Sequence, residues 1–103
     1  DRQGGAGDRQ VTHYRVEFFG VPRQLVGVPE TEVMLPPGAS LRDAVVALAE
    51  RAPALVGRVI GEDGTSLIEP YALNLNGRSF AQGLEVELMP GDNILLMSRA
   101  VGG

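Results

Sequence analysis

Apolar and polar residues alternate where the patterned part of the chain begins. Thr12, Tyr14, Val16 and Phe18 fall on one side of an extended segment, and His13, Arg15, Glu17 and Phe19 fall on the other. That period of two predicts a half-buried strand over residues 11–19. Phe19 breaks the rule, as an aromatic on the otherwise polar side. Gly20, Val21 and Pro22 punctuate the pattern. A second alternation over residues 31–35 then sets Val33 and Leu35 against Glu32, with Met34 opposite, until Pro36, Pro37 and Gly38 stop it. The two runs predict a hairpin with an elongated loop.

The period changes after Gly38. Leu41, Ala44, Val45, Leu48 and Ala49 follow helical spacing, with Arg42, Asp43, Glu50 and Arg51 off the stripe, so a three-turn helix is expected over residues 40–51 with one face on a sheet. Ser40 and Asp43 have the spacing of a capping box, in which each side chain meets the other residue's backbone amide, and the acid suits the positive end of the helix. Pro53 ends the helix, because it lacks an amide donor and biases Ala52 out of helical dihedrals.

Residues 54–70 read as loop, with Leu55, Val56, Val59 and Ile60 expected to plug one end of the core. Glu62 and Asp63 sit at a turn and Glu69 precedes a proline, so these acids read as solvated charges and not as a catalytic set. Tyr71, Leu73 and Leu75 alternate with Ala72, Asn74 and Asn76 in a third strand, closed by the Asn76-Gly77 turn signal. A short strand is expected within residues 84–89. A turn at Pro90, Gly91 and Asp92 leads to a final strand, apolar on both sides: Ile94 and Leu96 on one, Leu95 and Met97 on the other. The order strand, strand, helix, strand, short strand, strand implies a two-layer α+β domain with the helix on one face. The doubly apolar last strand suits a central position, with something covering each face. The other face is then left either for a protein partner, with Phe19, Leu95 and Met97 as its docking residues, or for the loop over residues 54–70 to fold across.

Composition narrows the function classes. With 103 residues, 44% of them hydrophobic, the chain suits one core. A net charge of −4 and nine scattered basic residues argue against nucleic acid. No apolar run approaches a membrane span and no signal pattern opens the chain, so a soluble cytoplasmic protein is expected. The chain has no cysteine and one histidine, His13, which removes thiol nucleophiles and thiolate metal sites. Residues 1–10 are polar and glycine-rich and read as a disordered extension or an appended remainder, leaving 11–103 as the domain.

The remaining chemistry lies at the end. Val101, Gly102 and Gly103 follow the last strand after only Ser98, Arg99 and Ala100. Glycine has no side chain, so such a flexible tail can thread a narrow channel and deliver its carboxylate to a closed active site. Gly103 is then the reactive residue, Val101 and Gly102 form the tail, and Arg99 lies at its root.

The order of elements, together with Val-Glu-Phe-Phe-Gly at 16–20, the stretch 36–51, Leu-Asn-Leu-Asn-Gly-Arg at 73–78, Pro-Gly-Asp-Asn-Ile-Leu-Leu-Met at 90–97 and the terminal Gly102-Gly103, resembles the MoaD/ThiS family of ubiquitin-like β-grasp sulfur carriers. The resemblance covers nearly all of residues 11–103. It implies a mixed sheet of four to five strands, its first and last strands paired in parallel at the centre, with one main helix across it, and a carrier that is not itself an enzyme and holds no cofactor. An activating enzyme of the ubiquitin-activating kind would use ATP to adenylate Gly103, a sulfur donor would convert it to a thiocarboxylate, and a partner would consume the sulfur. Four readings stay open: the small subunit of a molybdopterin synthase, working with a larger synthase subunit; a carrier for thiamine or cysteine synthesis; a protein modifier joined to lysines; and a plain interaction module. Many relatives approach the glycines through proline or another apolar residue, whereas Ser98, Arg99 and Ala100 precede Val101 here.

Overall fold

A computed structural model describes residues 10–100. Its elements are β1 (Thr12–Phe18), α1 (Val21–Val26), β2 (Glu30–Leu35), α2 (Leu41–Arg51), a 3-10 turn (Pro53–Leu55), β3 (Tyr71–Leu75), β4 (Ser79–Phe80) and β5 (Ile94–Ser98). The strands form one sheet in the order β2-β1-β5-β3-β4. β1 and β5 pair in parallel, with Val16 beside Ile94 and Phe18 beside Leu96, and the other pairs are antiparallel. Parallel neighbours need a long crossover, and the intervening chain supplies it, carrying α2 on the way. This is the β-grasp arrangement that the resemblance implies.

Alternation decides which face α2 covers. Tyr14, Val16 and Phe18 of β1, Val33 and Leu35 of β2, Leu73 of β3, and Ile94 and Leu96 of β5 are all buried, as are Leu41, Ala44, Val45 and Leu48 of α2. Each large side chain among them contributes about 1.5–3 kcal/mol on leaving water. Leu55, Val59 and Ile60 are fully buried in the same cluster, as the plug reading requires, whereas Val56 and Ala49 are half-buried.

The start of α2 shows how local chemistry fixes the helix. Ser40 accepts from the Asp43 amide, and the Ser40 amide donates to Asp43 Oδ2 at 2.9 Å, completing the capping box. Two further helix-start amides, which have no partner within a helix, donate to segment 84–89: Leu41 to the Val86 carbonyl at 2.9 Å and Arg42 to the Leu84 carbonyl at 2.8 Å. The short strand expected within 84–89 is therefore corrected. Its carbonyls serve the helix, and its only pairing is an isolated bridge between Ser40 and Glu87. The short strand of the sheet is β4, which follows the predicted turn, where Asn76 and Gly77 both take positive φ.

A second correction concerns the link between β1 and β2, expected as loop, which contains α1. Pro22 lies in its first turn, and Gly27 closes it at φ 89 with its amide on the Arg23 carbonyl at 2.8 Å. Proline at the start and glycine past the end favour a helix, but six residues are too few to display a period.

Candidate functional site

β5 divides its side chains between two environments. Ile94 and Leu96 enter the core, while Leu95 and Met97 are half-buried on the face that α2 does not cover. Register sets out that open face in rows: Leu95 lies between Glu17 of β1 and Asn74 of β3, and Met97 lies beside Ala72. Phe19 extends β1 by one residue, its amide donating to the Leu96 carbonyl at 3.1 Å, and its side chain is 39% exposed. Phe80 of β4 is opposite Asn74, and the Arg99 guanidinium lies 5.4 Å from its ring centroid, a cation–π contact. The structure thus brings Phe19, Leu95, Met97 and Arg99 to one side of the sheet. Residues 54–69 do not cover it, since Leu55, Val59 and Ile60 go into the core.

Sequence reasoning missed three members of this face. Phe80 sits two residues past a turn, where no period can reveal it. Ala72 offers no signal. Asn74 reads as an outward polar residue but is only 8% exposed, and its Oδ1 has no hydrogen-bond partner. It sits between Leu95 and Phe80, so apolar neighbours shut water out.

The face runs into the root of the tail. Past Ser98, which pairs with Tyr71, the Arg99 amide donates to the Pro70 carbonyl at 2.7 Å and the Ala100 amide to Ser98 Oγ at 3.0 Å. The first bond holds the chain beside Pro70 as far as Arg99, and the second turns Ala100 back onto Ser98. Cavities flank it on both sides. One, of about 450 Å³, is bordered by Phe19, Val21, Tyr71 and Met97. The other, of about 480 Å³, is bordered by Leu67, Tyr71, Leu84 and Arg99. Val101, Gly102 and Gly103 lie outside the described residues.

The acids of the long loop behave as structural groups. Asp63 Oδ1 accepts from the Thr65 amide at 2.8 Å and the Ser66 hydroxyl at 3.0 Å. Those bonds, the Thr65 amide first, hold its carboxyl below the usual aspartate range although it is fully exposed. Among the described residues no group of three or more His, Asp or Glu is placed to hold a metal, and no helix is long and apolar enough to cross a membrane.

The ThiS family model matches residues 16–103. No curated protein matches the chain. Among solved structures, small archaeal modifier protein 1 (SAMP1) from Haloferax volcanii is 28% identical, with a TM-score of 0.75 over 88% of this chain and 99% of its own. Molybdopterin converting factor subunit 1 from Pyrococcus furiosus, as that structure is described, is 29% identical, with a TM-score of 0.69 over 86% of this chain and 99% of its own. The Amycolatopsis orientalis BexX/CysO complex contributes a chain at 22% identity and a TM-score of 0.65, over 87% of this chain and 99% of that one, a likeness of fold alone. A five-stranded β-grasp sheet, a last strand with an open apolar face and a family match through the final glycine lead to one assignment: the chain belongs to the ThiS family of small ubiquitin-like proteins.

Proposed function

We propose that the protein is a sulfur carrier that donates sulfur in molybdenum cofactor biosynthesis from a thiocarboxylate at Gly103. The observation that carries this reading is the course of β5, a central strand held by backbone bonds as far as Arg99 beside an open apolar face, which the sequence continues into Val101, Gly102 and Gly103. A carboxylate is a poor electrophile until one oxygen becomes a good leaving group. In the activating step a Gly103 carboxylate oxygen attacks the α-phosphorus of ATP and pyrophosphate leaves. Hydrosulfide released by a sulfur donor then attacks the carbonyl carbon, AMP departs with the former carboxylate oxygen and the thiol proton is lost to solvent, leaving the thiocarboxylate. A partner enzyme takes the sulfur. Phe19, Leu95, Met97 and Arg99 dock the adenylating enzyme and the larger synthase subunit in turn, and each active site receives the tail. The pathway assignment is supported by the likeness to the Pyrococcus furiosus protein.

A second reading is favoured by the likeness to a named modifier, SAMP1: the same acyl adenylate is passed on and Gly103 is joined to target lysines. Thiamine or cysteine synthesis is the alternative destination for the sulfur. Incubation with the cognate activating enzyme, ATP and a sulfur donor is expected to exchange one oxygen for sulfur on Gly103, read by mass spectrometry of the C-terminal peptide. Deleting Gly103, or adding one residue after it, is expected to abolish the exchange, because misplaced reacting atoms are heavily penalised. Sulfur transfer by either altered tail would sink the carrier reading, and isopeptide-linked conjugates in lysate would select the modifier.

A further inference from the structure

A strand at the end of a sheet keeps a row of backbone groups unpaired. β2 is such a strand. The bond from the Phe18 amide to the Pro29 carbonyl, 2.9 Å, fixes the phase of its ladder with β1. In an antiparallel ladder bonded and non-bonded pairs alternate, so Thr31, Val33 and Leu35 turn their backbone groups toward β1, and Glu30, Glu32 and Met34 turn theirs outward. Among the described residues nothing hydrogen bonds to those outward groups. At about 3.4 Å per residue the row from Glu30 to Met34 spans roughly 14 Å, enough to hold a short extended segment.

A groove of about 240 Å³ runs beside this edge, between β2 and α2, with Val33 and Ala47 on its apolar side and Glu32, Glu50 and Arg51 at its rim. Met34, which also borders the groove, is 56% exposed. The charge around it is mainly negative. Four acids, Glu17, Glu30, Glu32 and Glu50, stand against two arginines: Arg51, which donates to the Thr31 hydroxyl at 3.0 Å, and Arg15, which faces Glu32 across the ladder, lies 3.5 Å from Glu17 and 4.0 Å from Glu30 and donates to Asn93. His13 lies 3.1 Å from Glu32. That distribution decides between occupants. A second copy paired antiparallel about Glu32 would set Glu32 opposite Glu32 and Glu30 opposite Met34, and like charges directly opposite are destabilising.

We propose that the free edge of β2 takes up an extended segment of another protein, with apolar residues facing the Val33–Ala47 groove and alternate lysine or arginine residues beside Glu30 and Glu32. Main-chain bonds to Glu30, Glu32 and Met34 supply the affinity, and the acids supply the selection. In the sheet only β1 separates β2 from β5, so at about 4.8 Å per strand the edge lies roughly 10 Å from the β5 backbone. A segment bound there leaves Arg99 and Ala100 free, and the open face and the edge can be occupied together.

The test is a titration of the isotope-labelled full chain with two blocked hexapeptides, one alternating lysine and valine and the other alternating glutamate and valine. The lysine peptide is expected to bind at least tenfold more tightly, to weaken with added salt, and to slow hydrogen exchange at the Glu32 and Met34 amides. Met34→Pro removes an outward donor without altering charge or the β1 ladder, and is expected to weaken binding at least tenfold. If that variant fails to fold, exchange protection at Glu32 and Met34 in the unaltered chain decides alone. Equal binding of the two peptides, undiminished binding by folded Met34→Pro, or exchange unchanged at both amides overturns the proposal.

Discussion

Leu96 and Met97 are neighbours in β5, and the assignment of the two sheet faces predicts opposite responses to change. Leu96 is fully buried, paired with Phe18 on one side and Leu73 on the other. Leu96→Ala removes apolar contact and leaves a cavity in a core closed by α2, a loss of about 3–4 kcal/mol. That is a large part of the roughly 5–15 kcal/mol that holds a domain folded. Met97 is half-buried on the open face beside a solvent cavity, so Met97→Ala is expected to cost about 1 kcal/mol or less. Urea unfolding followed by far-ultraviolet circular dichroism reads both. With a slope of roughly 1–3 kcal/mol per molar, Leu96→Ala lowers the midpoint by about 1–4 M, and Met97→Ala by at most about a third of that fall. Because a one-residue slip in register exchanges the faces of a strand, equal losses or a reversed order would refute both the placement of β5 and the docking face built on it. The slopes must agree with that of the unaltered protein for the comparison to stand.

Four further outcomes test separate parts of the molecule. Met97→Glu is expected to weaken capture of the activating enzyme at least tenfold, since a carboxylate buried against an apolar partner is costly, while circular dichroism stays unchanged; undiminished capture removes Met97 from the interface. Ser40→Ala removes the capping acceptor of α2 and is expected to cost about 1 kcal/mol in thermal or urea unfolding, a loss that is absent if the Leu84 and Val86 carbonyls alone hold the helix start. Asn93 joins Arg15, Glu17 and Asn76 through its side chain and amide, so Asn93→Ala is expected to cost about 1–2 kcal/mol and to speed hydrogen exchange at Asn76; unchanged exchange there refutes the clasp. Asp63 has a folded pKa below its unfolded value, so the stability it contributes is fully present above the ordinary aspartate value of about 3.9 and is lost as pH falls through the lowered value. Exchange protection of the Thr65 amide should follow that acid titration, and an Asp63→Asn protein that shows the same acid loss would point to another group.

What the sequence made legible follows from the range of each signal. β1, β2 and α2 carry their periods over six to eleven residues, and Ser40 with Asp43 marks the helix start. The central place of β5 follows from a last strand apolar on both sides, whereas its parallel pairing with β1 follows only from the family resemblance. α1 and β4 have six and two residues, too few to show a period. Segment 84–89 alternates like a strand, yet α2 needs its carbonyls, and that demand depends on tertiary placement. Asn74 escaped for the same reason: its polarity predicts exposure, and only the neighbouring Phe80 and Leu95 close it off.

Part of the candidate site was legible for a related reason. Phe19 stands out as an aromatic on a polar side, and Leu95 and Met97 stand out as the second apolar face of a strand that already fills the core. The alternation of β5 ties these observations to the tail. Ile94 and Leu96 anchor the strand under α2, Leu95 and Met97 offer an apolar face, and the same backbone continues through Arg99 and Ala100, held at Pro70 and Ser98. A protein docked on Leu95 and Met97 therefore meets the tail's root at a fixed offset of two to five residues, about 7–17 Å at strand spacing. Three residues, Val101 to Gly103, add at most about 11 Å when fully extended. On the proposed carrier reading, the docking face and the length of the tail together set how far into a partner the Gly103 carboxylate can reach. For that reason a one-residue extension and a one-residue deletion, which leave every core contact in place, are expected to be as damaging to activation as a charge placed on the docking face.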